Sequence, residues 1–239
     1  LVKDSPILEK LPFVEIIGNS LTYDMWTTRP TASFYNVGDP WTESTPVITQ
    51  DTAALTILGG DADVDNFLKS TRSNIIDLRA EVLSQKVVSV QEKYLDTFYY
   101  GTGTAPEFKG MHGLVSSTTY NTVENASAGA SVAGSVKELR QTIDLITGNV
   151  PSLIVMSKAA RRDLSAYLDS VGSSFQANRT DFGKFVLTFD GIPIVTDDHI
   201  VNTEAYTGTS YSAKTGGTNA TTIWVLSFSP TACCGIQGP

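Results

Sequence analysis

The spacing of hydrophobic and polar positions changes several times along the 239 residues, and each change marks an expected element. Residues 1–19 mix Pro6, Pro12 and Gly18 with scattered apolar side chains, a pattern of an extended arm more than of a helix. From Ser20 to Gly60, short runs rich in Thr, Tyr, Trp and Val are broken at Pro30, Gly38-Asp39-Pro40 and Pro46, which predicts a long two-stranded hairpin. Gly59-Gly60 then interrupts the chain, and Asp61, Asp63 and Asp65 supply the acidic groups that favour a helix start. Val64, Leu68, Thr71, Ile75, Leu78 and Val82, resumed as Leu83, Val87, Val90, Tyr94 and Phe98, repeat at steps of three and four without an intervening Gly or Pro. A helix over 61–100 would run to about 55–60 Å at about 1.5 Å per residue, longer than the body of a small domain needs. The sideways step at Val82-Leu83 predicts a change of packing neighbour partway along it.

Past the Gly-rich turn at 101–113, Ser135-Val136-Lys137-Glu138 reads as a capping box opening a second helix that buries Val136, Leu139, Ile143 and Ile146. Residues 152–156 read as a buried strand. Ser157 reads as the cap of a third helix with Leu164, Tyr167, Leu168 and Val171 inward, stopped by Gly172. Phe185–Phe189 and Ile192–Val195 flank Asp190-Gly191, a strong hairpin turn signal. The Thr-, Ser- and Gly-rich run 202–222 reads as a mobile loop before a strand at 223–228. The expected class is α+β.

Composition narrows the function classes. With 41% apolar residues the chain can bury a real core, and no apolar run approaches the roughly 18 residues that cross a bilayer. A net charge of −8 argues against a surface built to neutralise phosphates. Cys233 and Cys234, the only cysteines, are too close for an unstrained bridge and read as small buried hydrophobes of a reducing compartment. The sequons at Asn125, Asn178 and Asn219 have no meaning without secretion. The first residues lack a signal-peptide layout and an initiating Met, and the last follow directly on a strand-like run, so both ends read as trimmed.

Candidate chemistry is sparse. Gly101-Thr102-Gly103 follows a helix rather than a strand, and no Gly-Lys-Ser/Thr occurs, so phosphate cradling fails on context. Asp197-Asp198-His199 could suit a metal or an acid–base pair, but His112 is the only other histidine, so the cluster reads as a polar turn. No Gly-x-Ser-x-Gly elbow is present and no cysteine has an assigned histidine. No catalytic residue, cofactor or metal is expected. Lys158, Arg161 and Arg162 oppose the dipole at a helix start, which leaves two readings, simple solvent exposure or acidic partners on a neighbouring subunit. Trp26, Phe34, Tyr35, Trp41 and Glu43 sit in a segment too thin to form a core, so they complete the candidate interface.

Two local motifs carry a family resemblance. Tyr100-Gly101-Thr102-Gly103 with Phe108-Lys109-Gly110-Met111-His112-Gly113-Leu114, and Phe189-Asp190-Gly191-Ile192-Pro193-Ile194 with Asp197-Asp198, stand in an element order that resembles the major capsid proteins of tailed bacteriophages. Their Hong Kong 97-like fold is shared with encapsulin shells. The resemblance implies an N-terminal arm (1–19), an extended loop (20–60), a peripheral domain with a spine helix (61–134), an axial domain (135–228) and a return to the peripheral domain (229–239), cut short after Gly235. It further implies hexamers and pentamers in an icosahedral virion shell around double-stranded DNA, assembled in the host cytoplasm without sequence-specific binding, with scaffolding or decoration proteins as further partners and no membrane. Some members are cross-linked through an extended-loop lysine, and this chain has none between Lys10 and Lys69. The competing readings are an encapsulin compartment, a metal-dependent hydrolase using Asp197, Asp198 and His199, and a Thr/Ser-rich adhesin.

Overall fold

A computed structural model describes residues 6–64, 78–115, 132–146, 148–170, 172, 176–179, 185–207, 210–218, 220–230 and 232–239. The chain divides into two units, one made of Leu1–Phe13 and Thr56–Gly235, the other of Val14–Leu55 and Ile236–Pro239.

The first unit is organised around β4 (Leu153–Met156), whose four side chains are all fully buried. A strand without a polar face must be covered on both sides, and alternate residues then serve opposite layers. Leu153 and Val155 join one cluster with Ile7, Leu11, Phe98, Tyr99, Ile200, Trp224 and Leu226, while Ile154 and Met156 join another with Val136, Leu139, Leu164, Leu168, Phe189, Ile192 and Ile194. The sheet runs β10 (Trp224–Leu226), β4, β7 (Ile192–Thr196), β6 (Phe185–Phe189), β5 (Gln176–Arg179). β4 and β7 are parallel, and the other pairs are antiparallel. The connection between the parallel pair carries α5 (Lys158–Ser170), which packs with α4 (Val132–Asp144) on the second cluster. On the first cluster lie α1 (Pro6–Lys10) and the end of α2 (Leu78–Tyr100).

Several expectations meet the structure directly. Ser157 Oγ accepts the Ala160 N–H at 3.2 Å, as a cap should. Asp190 (φ 49°) and Gly191 (φ 83°) both take the left-handed conformation that the tight β6–β7 turn requires. Others need correction. The first residues do not form only an extended arm: α1 is helical, with Ile7 and Leu11 buried in the core, because apolar groups at this spacing share one helical face. α4 begins at Val132, so Ser135 lies inside the helix and is not the first residue of a capping box. Residues 61–64 are not helical, and 65–77 lie outside the described residues, so the expected start of the long helix is not met where the chain is described.

α2 is amphipathic only toward its end. Leu95, Thr97, Phe98 and Tyr99 are buried, whereas Leu83 (60% exposed) and Val88 (50%) carry no core packing. The stripe through Leu83 and Val87 therefore lies outside both apolar clusters. The segment expected as a mobile loop contains a hairpin of β8 (Ala205–Thr207) and β9 (Ser210–Ala213), held by backbone bonds that polarity alone did not announce. A turn of α3 (Met111–Leu114) follows the glycine turn. There Gly101 is required by proximity: a Cβ on it would lie 2.4 Å from the Phe108 carbonyl oxygen and 2.6 Å from that of Thr97.

In the second unit, β2 (Ser20–Thr28) and β3 (Val47–Ala54) pair antiparallel from Ser20 opposite Ala54 to Trp26 opposite Ile48, with an irregularity before Thr28. Leu55 N–H donates to the Asn19 carbonyl at 2.9 Å and closes the base of the hairpin. Two short strands, β1 (Phe13–Glu15) and β11 (Gly235–Gln237), also pair.

Candidate functional site

The hairpin tip is built from its own turn chemistry. Asn36 N–H donates to Asp39 Oδ2 at 2.9 Å, Thr31 N–H donates to Ser44 Oγ at 3.0 Å, and Gly38 takes φ +97°. Tyr35 stacks on Trp41 with ring centroids 5.0 Å apart and accepts the Thr42 N–H at 3.0 Å. That donated bond holds the Tyr35 phenol below its ordinary pKa. Phe34 and Val37 are fully exposed and Trp41 is 85% exposed, with Glu43 exposed beside them. Fixed aromatic groups facing solvent in the 29–46 connection beyond the paired strands form a surface with nothing of its own to cover. Trp26 lies in β2, and its side chain is outside the described residues.

The basic group at the start of α5 is placed differently. Lys158 donates to Asp198 at 2.6 Å, and Arg162 lies 3.6 Å from Asp163, both pairs well exposed. Asp198 thus offsets the unfavourable position of Lys158 at a helix start, a local account that sequence did not supply. Arg161 is half-buried on the same helix.

Asp197-Asp198-His199 is occupied by structural bonds. Buried Asp197 accepts the Tyr99 hydroxyl at 3.1 Å and the His199 backbone N–H at 2.9 Å, and it contacts His199 Nδ1 at 2.8 Å. Burial, followed by the Asp197 charge, pushes the Tyr99 phenol far above its ordinary range, so it stays a donor. Among the described residues no three or more His, Cys, Asp or Glu side chains are grouped to hold a metal. Cys233 packs on the first apolar cluster, and burial pushes its thiol up to about 11.

The most developed polar cluster is one that sequence reasoning missed. Glu204, fully buried between β7 and β8, accepts the hydroxyls of Tyr100 at 2.7 Å, Tyr206 at 2.7 Å and Thr222 at 2.6 Å. His112 Nε2 stands 3.5 Å from the same carboxylate. The His112 ring stacks on Tyr211 at 3.8 Å and meets the edge of Trp224 at 4.9 Å. Burial pushes the Glu204 carboxyl upward, but donors from His112, Thr222, Tyr100 and Tyr206 together bring it below the usual range. Burial raises Tyr100 and Tyr206 beyond any physiological titration and Tyr211 up to about 12. Lys214 pairs with Asp96, and its ammonium lies 5.2 Å from the Tyr100 ring centroid. One signal was present in the sequence: Glu204 and Lys214 are the only charges in 202–222, beside Tyr206 and Tyr211.

Neither a protein-family model nor a curated protein sequence matches the chain. Solved structures do. The holo-SrpI encapsulin of Synechococcus elongatus PCC 7942 superposes with a TM-score of 0.60 at 12% identity, over 84% of this chain and 63% of that one. The capsid of a native GTA particle gives 0.57 at 11%, over 82% and 68%. Mycobacterium phage Bobi gives 0.55 at 14%, over 83% and 65%. The chain thus spans under two thirds of the encapsulin and Bobi subunits it matches. At these identities the agreement is one of backbone path: the chain has the Hong Kong 97-like capsid fold.

Proposed function

We propose that the chain is a structural shell subunit, not an enzyme, that self-assembles into hexamers and pentamers of an icosahedral phage head enclosing double-stranded DNA. The observation that carries this reading is the agreement of more than four fifths of the chain with shell-forming subunits from three different particles. The exposed hairpin tip supports it, since Phe34, Tyr35 and Trp41 present apolar surface that a neighbouring subunit would cover. In this reading 20–60 is the extended loop, α2 belongs to the spine helix of the peripheral domain, and the five-stranded sheet with α4 and α5 forms the axial domain. Trp26, Glu43, Lys158, Arg161 and Arg162 complete the interface. A net charge of −8 suits a wall that stays near packed DNA without adhering to it.

The encapsulin match keeps a second reading open, a compartment with protein cargo in place of DNA. Electron microscopy of the expressed chain, followed by nucleic-acid and protein analysis of the particles, tests both. Closed particles with DNA support the head, and closed particles with a protein cargo support the compartment. A chain that stays monomeric across concentration, salt and pH refutes either form of shell. Hydrolase activity that is lost with Asp197, Asp198 and His199 while assembly persists would instead establish an enzyme.

A further inference from the structure

Glu204 gathers side chains from four separated parts of the first unit: Tyr100 at the end of α2, His112 in α3, Tyr206 in β8 and Thr222 before β10. Backbone bonds from Gly217 to Thr203 and from Glu204 to Ala220 bind this segment to itself. Among the described residues, the Glu204 carboxylate and the Lys214–Asp96 pair tie it to α2, and Tyr211 stacks on His112 of α3. We infer that Glu204 is an acid-operated release for the β8–β9 hairpin: ionised, it holds the hairpin to the end of α2 and to His112, and on taking up a proton it frees the hairpin while both apolar clusters stay closed.

The geometry shows why one proton matters. Oε1 faces donors only, because the Tyr100 oxygen already accepts the Val201 N–H at 3.0 Å and must point its own O–H at Glu204. A proton on Oε2 displaces Tyr206 or Thr222 as donor, two hydroxyls that also contact one another. The remaining bonds lose the charge that roughly doubles their strength. His112, whose Nε2 stands 3.5 Å from the carboxylate and whose side chain is 7% exposed, then no longer faces a charge. The other titratable groups packed here do not compensate: Tyr100, Tyr206 and Tyr211 stay neutral phenols, and Lys214 is matched by Asp96.

The direction follows from linkage. A carboxyl held below its unfolded value contributes stability above that value, about pH 4.3 for Glu, and the contribution is lost as pH falls through the folded value. Release therefore belongs below the ordinary Glu range. The inference does not depend on whether the chain builds a shell. Hydrogen exchange of the full chain, corrected for the intrinsic pH dependence of exchange, tests it at neutral pH and at about pH 3.5. Peptides over β9 and 214–218 should lose at least about tenfold in protection on acidification, while peptides over β4 and β7 keep theirs. In Glu204→Gln the hairpin should already exchange freely at neutral pH and respond little to acid. Should that variant not fold, the wild-type comparison decides alone. Hairpin protection that survives acid, that vanishes only together with β4 and β7, or that is unchanged by Glu204→Gln at neutral pH overturns the inference.

Discussion

In the proposed assembly, replacing Trp41 by Ala separates the stability of the chain from the stability of the particle. In the isolated chain Trp41 is 85% exposed, and its described ring partner is Tyr35, itself on the hairpin. Truncating it should change subunit unfolding by no more than about 0.5 kcal/mol, the usual range for surface positions, with up to about 1 kcal/mol more for the lost stack. A Trp side chain offers about 150–250 Å². With most of that still in water, covering it at an interface would release roughly 3–5 kcal/mol at about 25 cal/mol per Å², before the cost of ordering the hairpin. The same substitution at Trp224, which is 7% exposed in the first cluster, should cost about 3–5 kcal/mol of subunit stability and serves as the internal comparison. The measurements are denaturant unfolding of dissociated subunits and particle yield by sedimentation. Trp41→Ala should leave the first nearly unchanged and cut the second severely. If instead it lowers subunit stability by several kcal/mol while particles still form, the hairpin packs on its own body and the interface assignment is wrong.

Further outcomes follow from single contacts. Gly101→Ala should destabilise the subunit by about 2 kcal/mol or more, because its Cβ would meet two backbone oxygens that cannot rotate away; thermal unfolding indistinguishable from wild type would contradict the glycine geometry. Denaturing gels of particles assembled from these 239 residues should show one band near 25.7 kDa, since the hairpin offers no lysine amine, and a ladder that survives reduction would refute this. In a Cys234→Ser variant, alkylation of Cys233 should be slow at pH 8 and accelerate steadily as pH rises, because only the thiolate reacts and burial delays its formation; a fast reaction at pH 8 would show an exposed thiol.

Much of the element pattern was legible along the chain because it rests on local chemistry. The Asp190-Gly191 turn, the Ser157 cap and the apolar run Leu153–Met156 each announce themselves within a few residues, and the structure places a tight turn, a helix start and a fully buried strand there. Runs rich in Thr, Tyr, Trp and Val likewise predicted the antiparallel β2–β3 pair, but residues 29–46, expected as strand up to Gly38-Asp39-Pro40, take no strand conformation because Pro30, Pro40 and Pro46 and the local side-chain turn bonds compete with pairing. What only the tertiary structure decided depends on distance in space. Ile7 and Leu11 look like scattered residues of an arm until the floor of a sheet residues away in sequence covers them. Leu83 and Val87 share the helical spacing of Phe98, but the periodicity cannot say which part of the stripe finds a partner within the same subunit. Glu204 reads as one acid in a polar run; its burial exists only because Tyr100, His112, Tyr206 and Thr222 converge on it from segments up to 104 residues apart. Local sequence determines which conformations a segment prefers, whereas the cost of burying a carboxylate is met only by donors that folding brings to it.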